Sequence, residues 1–418
     1  MKIAVVGTGI SGLVAARELT KHHEVDVYEA APYAGGHTNT VDVIEDERTL
    51  AIDTGFIVFN ERTYPNFCRL LGELGVDRRT SDMSFSVRSE RNGLEYNGTN
   101  LSGLFSQRRN LLRPSFWRMI RDIMRFYREA KAVLLNPDDD LLLGDYLESN
   151  GYSQSFIEDH LMPMGAAVWS STAEGMRNFP LRFLVQFFEN HGFLQVDDRP
   201  DWLTIRGGSR SYVEPLTASF RDRLHLKTPV REVRRDTHGV ILRTAAGVEQ
   251  RYDRVVLATH SDTSLKMLSD AGPLEREILG AFEYQPNEAI LHTDRSVMPK
   301  LRRAWASWNY HVLDPPSELP TVTYWMNLLQ GLGCREDYFV SLNRDEIDPM
   351  RVLRRISYAH PVFTAATVAA QARFDELDGS DRVHFCGAYW GYGFHEDGVK
   401  SGLVVAERIA ASAEEVAA

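Results

Sequence analysis

The first thirty residues leave the chain little freedom. KIAVVGTGISGLVAAREL reads as a short buried strand, Ile3 to Val6, then Gly7-x-Gly9-x-x-Gly12, then a helix. In such a unit Gly7 permits the tight turn, Gly9 lets a pyrophosphate approach the backbone, and Gly12 lets the helix pack closely on the strand. The helix start, with Ile10 and Ser11, turns its partial positive charge toward the phosphates. A second strand, Val25 to Tyr28, leads to Glu29 and Ala30. Glu29 stands where a carboxylate accepts hydrogen bonds from ribose hydroxyls, which disfavours a 2′-phosphate and hence NADP. A glycine-rich turn without a ligand is the competing reading. The order strand, glycines, helix, strand, acid favours a dinucleotide site.

At 418 residues the chain exceeds one ordinary core, so two interleaved or consecutive domains are expected. Its 43% hydrophobic and 25% charged content is that of a globular protein. The net charge of −11 argues against nucleic acid as the main partner, since phosphate binding draws on clustered Lys and Arg. Cys68, Cys334 and Cys386 form no CxxC pair, which speaks against a disulfide framework or a zinc site, and no other metal site is expected. No apolar run reaches 18 residues, and the chain enters a strand pattern at Lys2 without a leader pattern. A cytoplasmic protein is expected, with peripheral contact at the inner face of the membrane left open.

Gly35-Gly36-His37 is a second glycine pair, where the chain again passes close to a dinucleotide. A pair at this place resembles the flavoprotein group that contains the amine oxidases, phytoene desaturases and protoporphyrinogen oxidases, and so implies FAD rather than NAD. The resemblance further implies an α/β fold in which a Rossmann-like FAD-binding domain, residues 1–60, 204–265 and 381–418, is interleaved with an α+β substrate domain, residues 61–203 and 266–380. TIRGGSRSYVEPL from Thr204 is similar to the group's return into the flavin domain, and YDRVVLATH supplies a buried strand ending at Ala258 and Thr259. By the same resemblance Val230 touches the adenine through its backbone, and Gly387 closes the last strand. Gly398 and Val399 begin the helix whose N-terminus points at the flavin pyrimidine.

DTGFIVFNERTYPNFCRLLGELGVDRRTSDMSFSV, ILHTDRSVMPKLRRAWASWNY and TVTYWMNLLQGL narrow the likeness. They resemble the FAD-containing module at the N-terminus of plant cyclopropane fatty acid synthases and its free-standing bacterial relatives. That implies a hydrophobic or lipid substrate, desaturation or oxidation of a methyl-branched or cyclopropane acyl chain, and a cyclopropane synthase-type methyltransferase as a possible partner. Within the first motif Asp53 takes a structural role near the flavin, and Thr54, Gly55 and Phe56 are expected cofactor contacts. The chain departs from the amine oxidases at His37, where they often carry arginine, and at Ala388 and Tyr389, where an acid is common. No cysteine lies between Gly387 and Gly398, so the flavin is expected to be noncovalent.

Flavin chemistry asks the protein chiefly for a dry cavity and a C–H held over the cofactor. Trp308, Asn309, Trp325 and Asn327 are therefore expected to bind substrate. Tyr324, Tyr389, Trp390 and His395 are the expected catalytic set. Tyr392 and Phe394 share the loop of the last three, and plain core packing is the alternative for any of these aromatics. An amine oxidase, and a non-redox flavin-bound partner module, are the rival functions.

LLRPSFWRMIRDIMRFYREAK stands apart. Residues 108–131 carry eight basic and two acidic side chains inside an acidic protein. Pro114 suits a first helical turn. Phe116, Ile120, Ile123, Met124 and Tyr127 then share one face, widened by Met119 and Phe126, while Arg118, Arg121, Arg125 and Arg128 share another, with Trp117 at the border. This pattern fits a helix lying on an anionic membrane, with Trp117, Arg118, Arg121 and Arg125 as its contacts. It equally fits a helix packed on its own domain.

Overall fold

The computed structural model describes residues 1–135, 141–377 and 382–417, with side chains to 412. The expected boundary between the substrate domain and the last flavin-domain piece, 380/381, lies outside the described residues.

The N-terminal strand Lys2–Val6 is buried because a parallel sheet flanks it on both sides. The sheet order is Leu224–His225, Glu24–Tyr28, Lys2–Val6, Arg254–Leu257 and Val383–Phe385, all parallel. Five strands distant in sequence thus meet at one carboxyl edge, where an open α/β sheet holds its ligand. The helix Ile10–Leu19 and the closing helix His395–Ala417 cross on one face of this sheet. Glycines set their separation: a Cβ on Gly402 would lie 2.4 Å from the Ser11 carbonyl oxygen, and one on Gly398 2.6 Å from Ile10. Leu13, Val14, Val405 and Ile409 fill the contact.

A second sheet joins strands from both long insertions. Its order is Val352–Val362, Glu283–His292, Phe339–Leu342, Val322–Trp325, Trp308–Val312, Phe85–Ser89 and Leu94–Asn97. The hairpin Thr40–Glu45 and Arg48–Asp53 sends Leu50 and Ile52 into the same apolar cluster as Ala289, Leu291 and Val340 of this sheet. Residues 40–58 therefore bridge the two sheets.

Asp53 ties that bridge. Fully buried, it accepts hydrogen bonds from Ser209 N (2.8 Å) and Oγ (2.8 Å), Thr40 Oγ1 (2.6 Å) and Gln330 Nε2 (2.8 Å). Burial raises its pKa to about 6 while these donors pull it down, so at neutral pH it is ionised and satisfied. Asp53→Asn would set an amide N–H against this ring of donors. A loss of about 2–4 kcal/mol, read as a lower denaturation midpoint, is expected. An unchanged midpoint would remove Asp53 as the tie.

The helix Pro114–Glu129 buries Phe116, Met119 and Phe126 in a helical lobe with Leu147, Phe156 and Leu161. Ile120, Ile123 and Tyr127 pack against the same lobe. Most of the apolar face expected to enter a membrane is therefore core, because two turns of aromatic residues gain more contact from neighbouring helices than from solvent. Met124 departs from that face and is exposed. Arg125 also leaves the expected membrane set: its Nε donates to Glu129 at 2.8 Å, and its guanidinium lies 4.5 Å from the Tyr152 ring. Among the described residues no helix is long and apolar enough to cross a membrane.

Candidate active site

The carboxyl edge of the parallel sheet and the inner face of the mixed sheet enclose a cavity of about 500 Å³. Its first wall is the N-terminal motif. Gly7, Gly9, Ile10 and Ser11 line it, followed by Glu29, Ala30, Gly35, Gly36 and His37. Gly7 has φ +104°, and a Cβ there would lie 2.7 Å from the Ala258 carbonyl oxygen. Gly12 lies behind the lining and permits contact: its Cβ would come 2.1 Å from Gly7 O. Glu29 is held by Thr8 N (3.0 Å) and Oγ1 on one oxygen and by Ala31 N (2.8 Å) on the other. A carboxylate has about four acceptor sites, so one stays open toward the cavity.

Thr54, Gly55, Phe56, Val230, Ala258, Thr259 and Gly387 also line the cavity. Gly398 and Val399 do not. The first spaces the closing helix from Ile10, and the second is buried in the flavin-side core where the two helices meet. The cavity-facing end of the closing helix is one turn earlier, at Phe394 and His395.

On the substrate side the strand alternation decides. Trp308 and Tyr324 pair across adjacent strands, their rings edge to face at 4.8 Å, and both line the cavity. Asn309, Trp325 and Asn327 do not. Asn309 hydrogen-bonds Ala306 and Thr323 on the far face. Trp325 donates to Asp337, and Asn327 binds the Glu336 carbonyl and Tyr338 N around a separate polar hollow with Arg295 and Arg302. Successive side chains on a strand point to opposite faces, so an aromatic cluster spanning both faces cannot all reach one cavity.

The loop after Gly387 divides in the same way. Tyr389 lines the cavity, as do Tyr392 and Phe394. Trp390 turns back against Phe282 and Phe374 and leaves the expected catalytic set. His395 lines the cavity, but its Nε2 is engaged by the hydroxyls of Thr38 (3.1 Å) and Tyr212 (3.0 Å), and its ring stacks on Phe56 at 3.5 Å. Burial lowers its pKa to about 3. It is a neutral tie between loop and helix, with that nitrogen committed, and is not poised as a general base.

Histidines missed from the sequence gather beside His37. His360 lies 5.5 Å and His260 6.1 Å from its ring, and Tyr358 stacks on it at 4.8 Å. Burial, then the neighbouring His360, His260 and His395, hold His37 well below the usual imidazole range. Burial brings His360 to about 4, and its Nδ1 faces Asn287 Nδ2 at 3.3 Å. Trp169 and Phe363 complete the walls. Tyr358 and His360 are two apart on one strand, a spacing that marks a shared face.

Residues 10–331 match the family described as flavin containing amine oxidoreductase. The chain belongs to that family. Over 78 residues it is 36% identical to the zeta-carotene desaturase of Zea mays, a stretch covering 18% of this chain and only 13% of that relative. Among solved structures, cyclohexylamine oxidase from Brevibacterium oxydans superposes with a TM-score of 0.70 at 16% identity, covering 99% of both chains. The CLA-producing fatty acid isomerase from P. acnes superposes with a TM-score of 0.69 at 12% identity, covering 97% of this chain and 98% of that one. At these identities the likeness is one of fold. Membership makes this flavoprotein an FAD-dependent oxidoreductase.

The cavity fits FAD. A Cβ on Gly9 would meet nothing within 4 Å, so the wall is open where a pyrophosphate needs the backbone bare. His37 Nε2 is buried with no partner among the described residues, a polar atom that a bound ligand would satisfy.

Proposed function

We propose that this flavoprotein oxidises an apolar substrate, most specifically by desaturating a methyl-branched or cyclopropane fatty acyl chain, with FAD held noncovalently. One observation carries the reading. Among the described residues lining the cavity the sole carboxylate is Glu29, which is engaged by Thr8 and Ala31 at the dinucleotide end, and no Lys or Arg lines it. The substrate walls are instead Trp169, Trp308, Tyr324, Tyr358, Phe363, Tyr392 and Phe394. Such walls exclude water and orient a chain by shape, and they offer an ammonium no counter-charge.

Bound FAD supplies a two-electron hydride acceptor. Gly9, Glu29 and the start of the helix Ile10–Leu19 would hold its nucleotide half, and His37 Nε2, buried with no partner among the described residues, would be available to it. Trp308 and Tyr324 flank the chain on the substrate side. Desaturation removes a hydride from one carbon and a proton from its neighbour, leaving C=C. The ring of His260, which also lines the cavity, is the candidate proton acceptor.

The test mixes FAD-loaded protein anaerobically with methyl-branched or cyclopropane acyl lipids and, separately, with cyclohexylamine and putrescine, following flavin bleaching. Bleaching by the acyl lipids with a two-hydrogen loss is expected. Bleaching by the amines alone would replace the reading with amine oxidation. Bleaching by neither, with tight binding to a cyclopropane synthase-type methyltransferase, would make the chain a partner module.

A further inference from the structure

We propose that the exposed side of the helix Pro114–Glu129, with the turn before it, is a docking surface for an anionic lipid bilayer. With its apolar face built into the lobe, the helix still leaves Trp117, Arg118, Arg121, Met124 and Arg128 exposed. Spacing of three and four places Trp117, Arg121, Met124 and Arg128 on one stripe, with Arg118 beside it. Large apolar side chains remain in solvent there: Trp117 is 47% exposed, Met124 49%, Leu111 50% and Leu112 88%. Single exposed apolar residues are ordinary, but four within fourteen positions form a patch.

The patch is built. Trp117 Nε1 donates to the Leu111 carbonyl at 2.9 Å, and its ring lies 5.7 Å from Phe105, which holds the indole between the leucines and the arginines. Its charge is predominantly positive, eight basic against two acidic side chains over residues 108–131. The two acids of the segment offset part of that charge: Asp122 is buried, accepts from Ser153 N at 3.0 Å and lies 3.5 Å from Arg121, and Glu129 pairs with Arg125 at 2.8 Å and Arg128 at 3.4 Å, while Arg118 adds a further exposed cation. Arg121 and Arg128 keep side-chain exposures of 72% and 74%. A chain of net charge −11 is on the whole repelled by an anionic surface, so a basic patch favours one orientation as well as contact. Apolar tips, a tryptophan at the border and a row of arginines are the chemistry that anionic head groups over acyl chains recognise.

The lobe that carries the patch also walls the cavity. Phe116 and Phe126 belong to the same apolar cluster as Trp169 and Phe363, which line the active site. Docking there would bring to the bilayer the lobe that contributes to the cavity wall.

The test is co-sedimentation of the full FAD-loaded chain with vesicles of phosphatidylglycerol and phosphatidylcholine, against phosphatidylcholine alone. Two variants are compared, Leu112→Glu with Trp117→Glu, and Arg118→Glu with Arg121→Glu and Arg128→Glu. Flavin content and melting temperature verify their folding. The native protein should pellet with the anionic vesicles and at least tenfold less with the neutral ones. The arginine variant should lose about a hundredfold in affinity, and the apolar variant should also stay in the supernatant. Native protein that stays in the supernatant, or variants that bind as it does, overturns the proposal. A lipid-free dimer broken by the apolar variant would show that a second copy covers the face and would also overturn it. No turnover is measured, so this result stands apart from the substrate reading.

Discussion

Gly9→Val is expected to yield a folded protein without its flavin. Gly9 sits at φ −61°, ψ 170°, a conformation open to any residue, and its Cβ would meet nothing within 4 Å. The new side chain therefore costs the apoprotein little and projects into the cavity where the dinucleotide must approach the backbone. An affinity loss of at least tenfold, about 1.4 kcal/mol, is expected, read as visible flavin absorbance per protein, with circular dichroism and melting temperature of the apoprotein unchanged. Gly12→Val is the contrast. Its Cβ would press 2.1 Å from Gly7 O and 2.9 Å from Ala258 Cβ, so the helix must leave the sheet and soluble protein should be lost. Two glycines of one motif thus fail differently, one in binding and one in folding. Full flavin in Gly9→Val would mean that the cofactor does not pass over that glycine.

Acid should destabilise the protein strongly between pH 6.5 and 4. Burial holds His160 and His395 at about 3 and His191, His292 and His360 at about 4, against 6.5 for an unburied imidazole. In that window the unfolded chain binds protons that the folded chain refuses, so stability rises with pH and is lost as pH falls through 6.5. Once pH is below both values, each unit of depression costs about 1.4 kcal/mol. Asp53 and Asp397 oppose this. Burial raises each to about 6, so the folded state takes up their protons first and they add stability as pH falls through 6. The histidines outnumber them and are shifted at least as far, so the net sign is acid destabilisation. Melting temperatures of the FAD-loaded and FAD-free protein from pH 7.5 to 4.5 check this. A flat or rising profile toward pH 4.5 would show that the histidines are hydrated.

The dinucleotide edge was legible because its determinants are local. A strand, three glycines, a helix start and an acid within thirty residues dictate one turn geometry, and all but Gly12 of the expected contacts there line the cavity. That strands distant in sequence would join one parallel sheet was implied by the family resemblance, and short apolar runs such as Ile3 to Val6 are what the middle of such a sheet buries on both faces. The substrate wall was half legible. Period-2 alternation separates Trp308 and Tyr324 from Asn309 and Trp325, but both faces carry large side chains, and nothing local says which one meets the cavity. The histidine cluster was hidden because residues 37, 260 and 360 come together only when the hairpin, the flavin sheet and the mixed sheet are packed.

The arginine helix marks the same division. Its amphipathic spacing is written in the sequence, since 3.6 residues per turn assigns every side chain a face. Which of those faces is buried was decided by the tertiary structure. Neighbouring helices compete with solvent for the aromatic side, and what they leave uncovered, Leu112, Trp117, Met124 and the arginines, depends on contacts that no local rule contains.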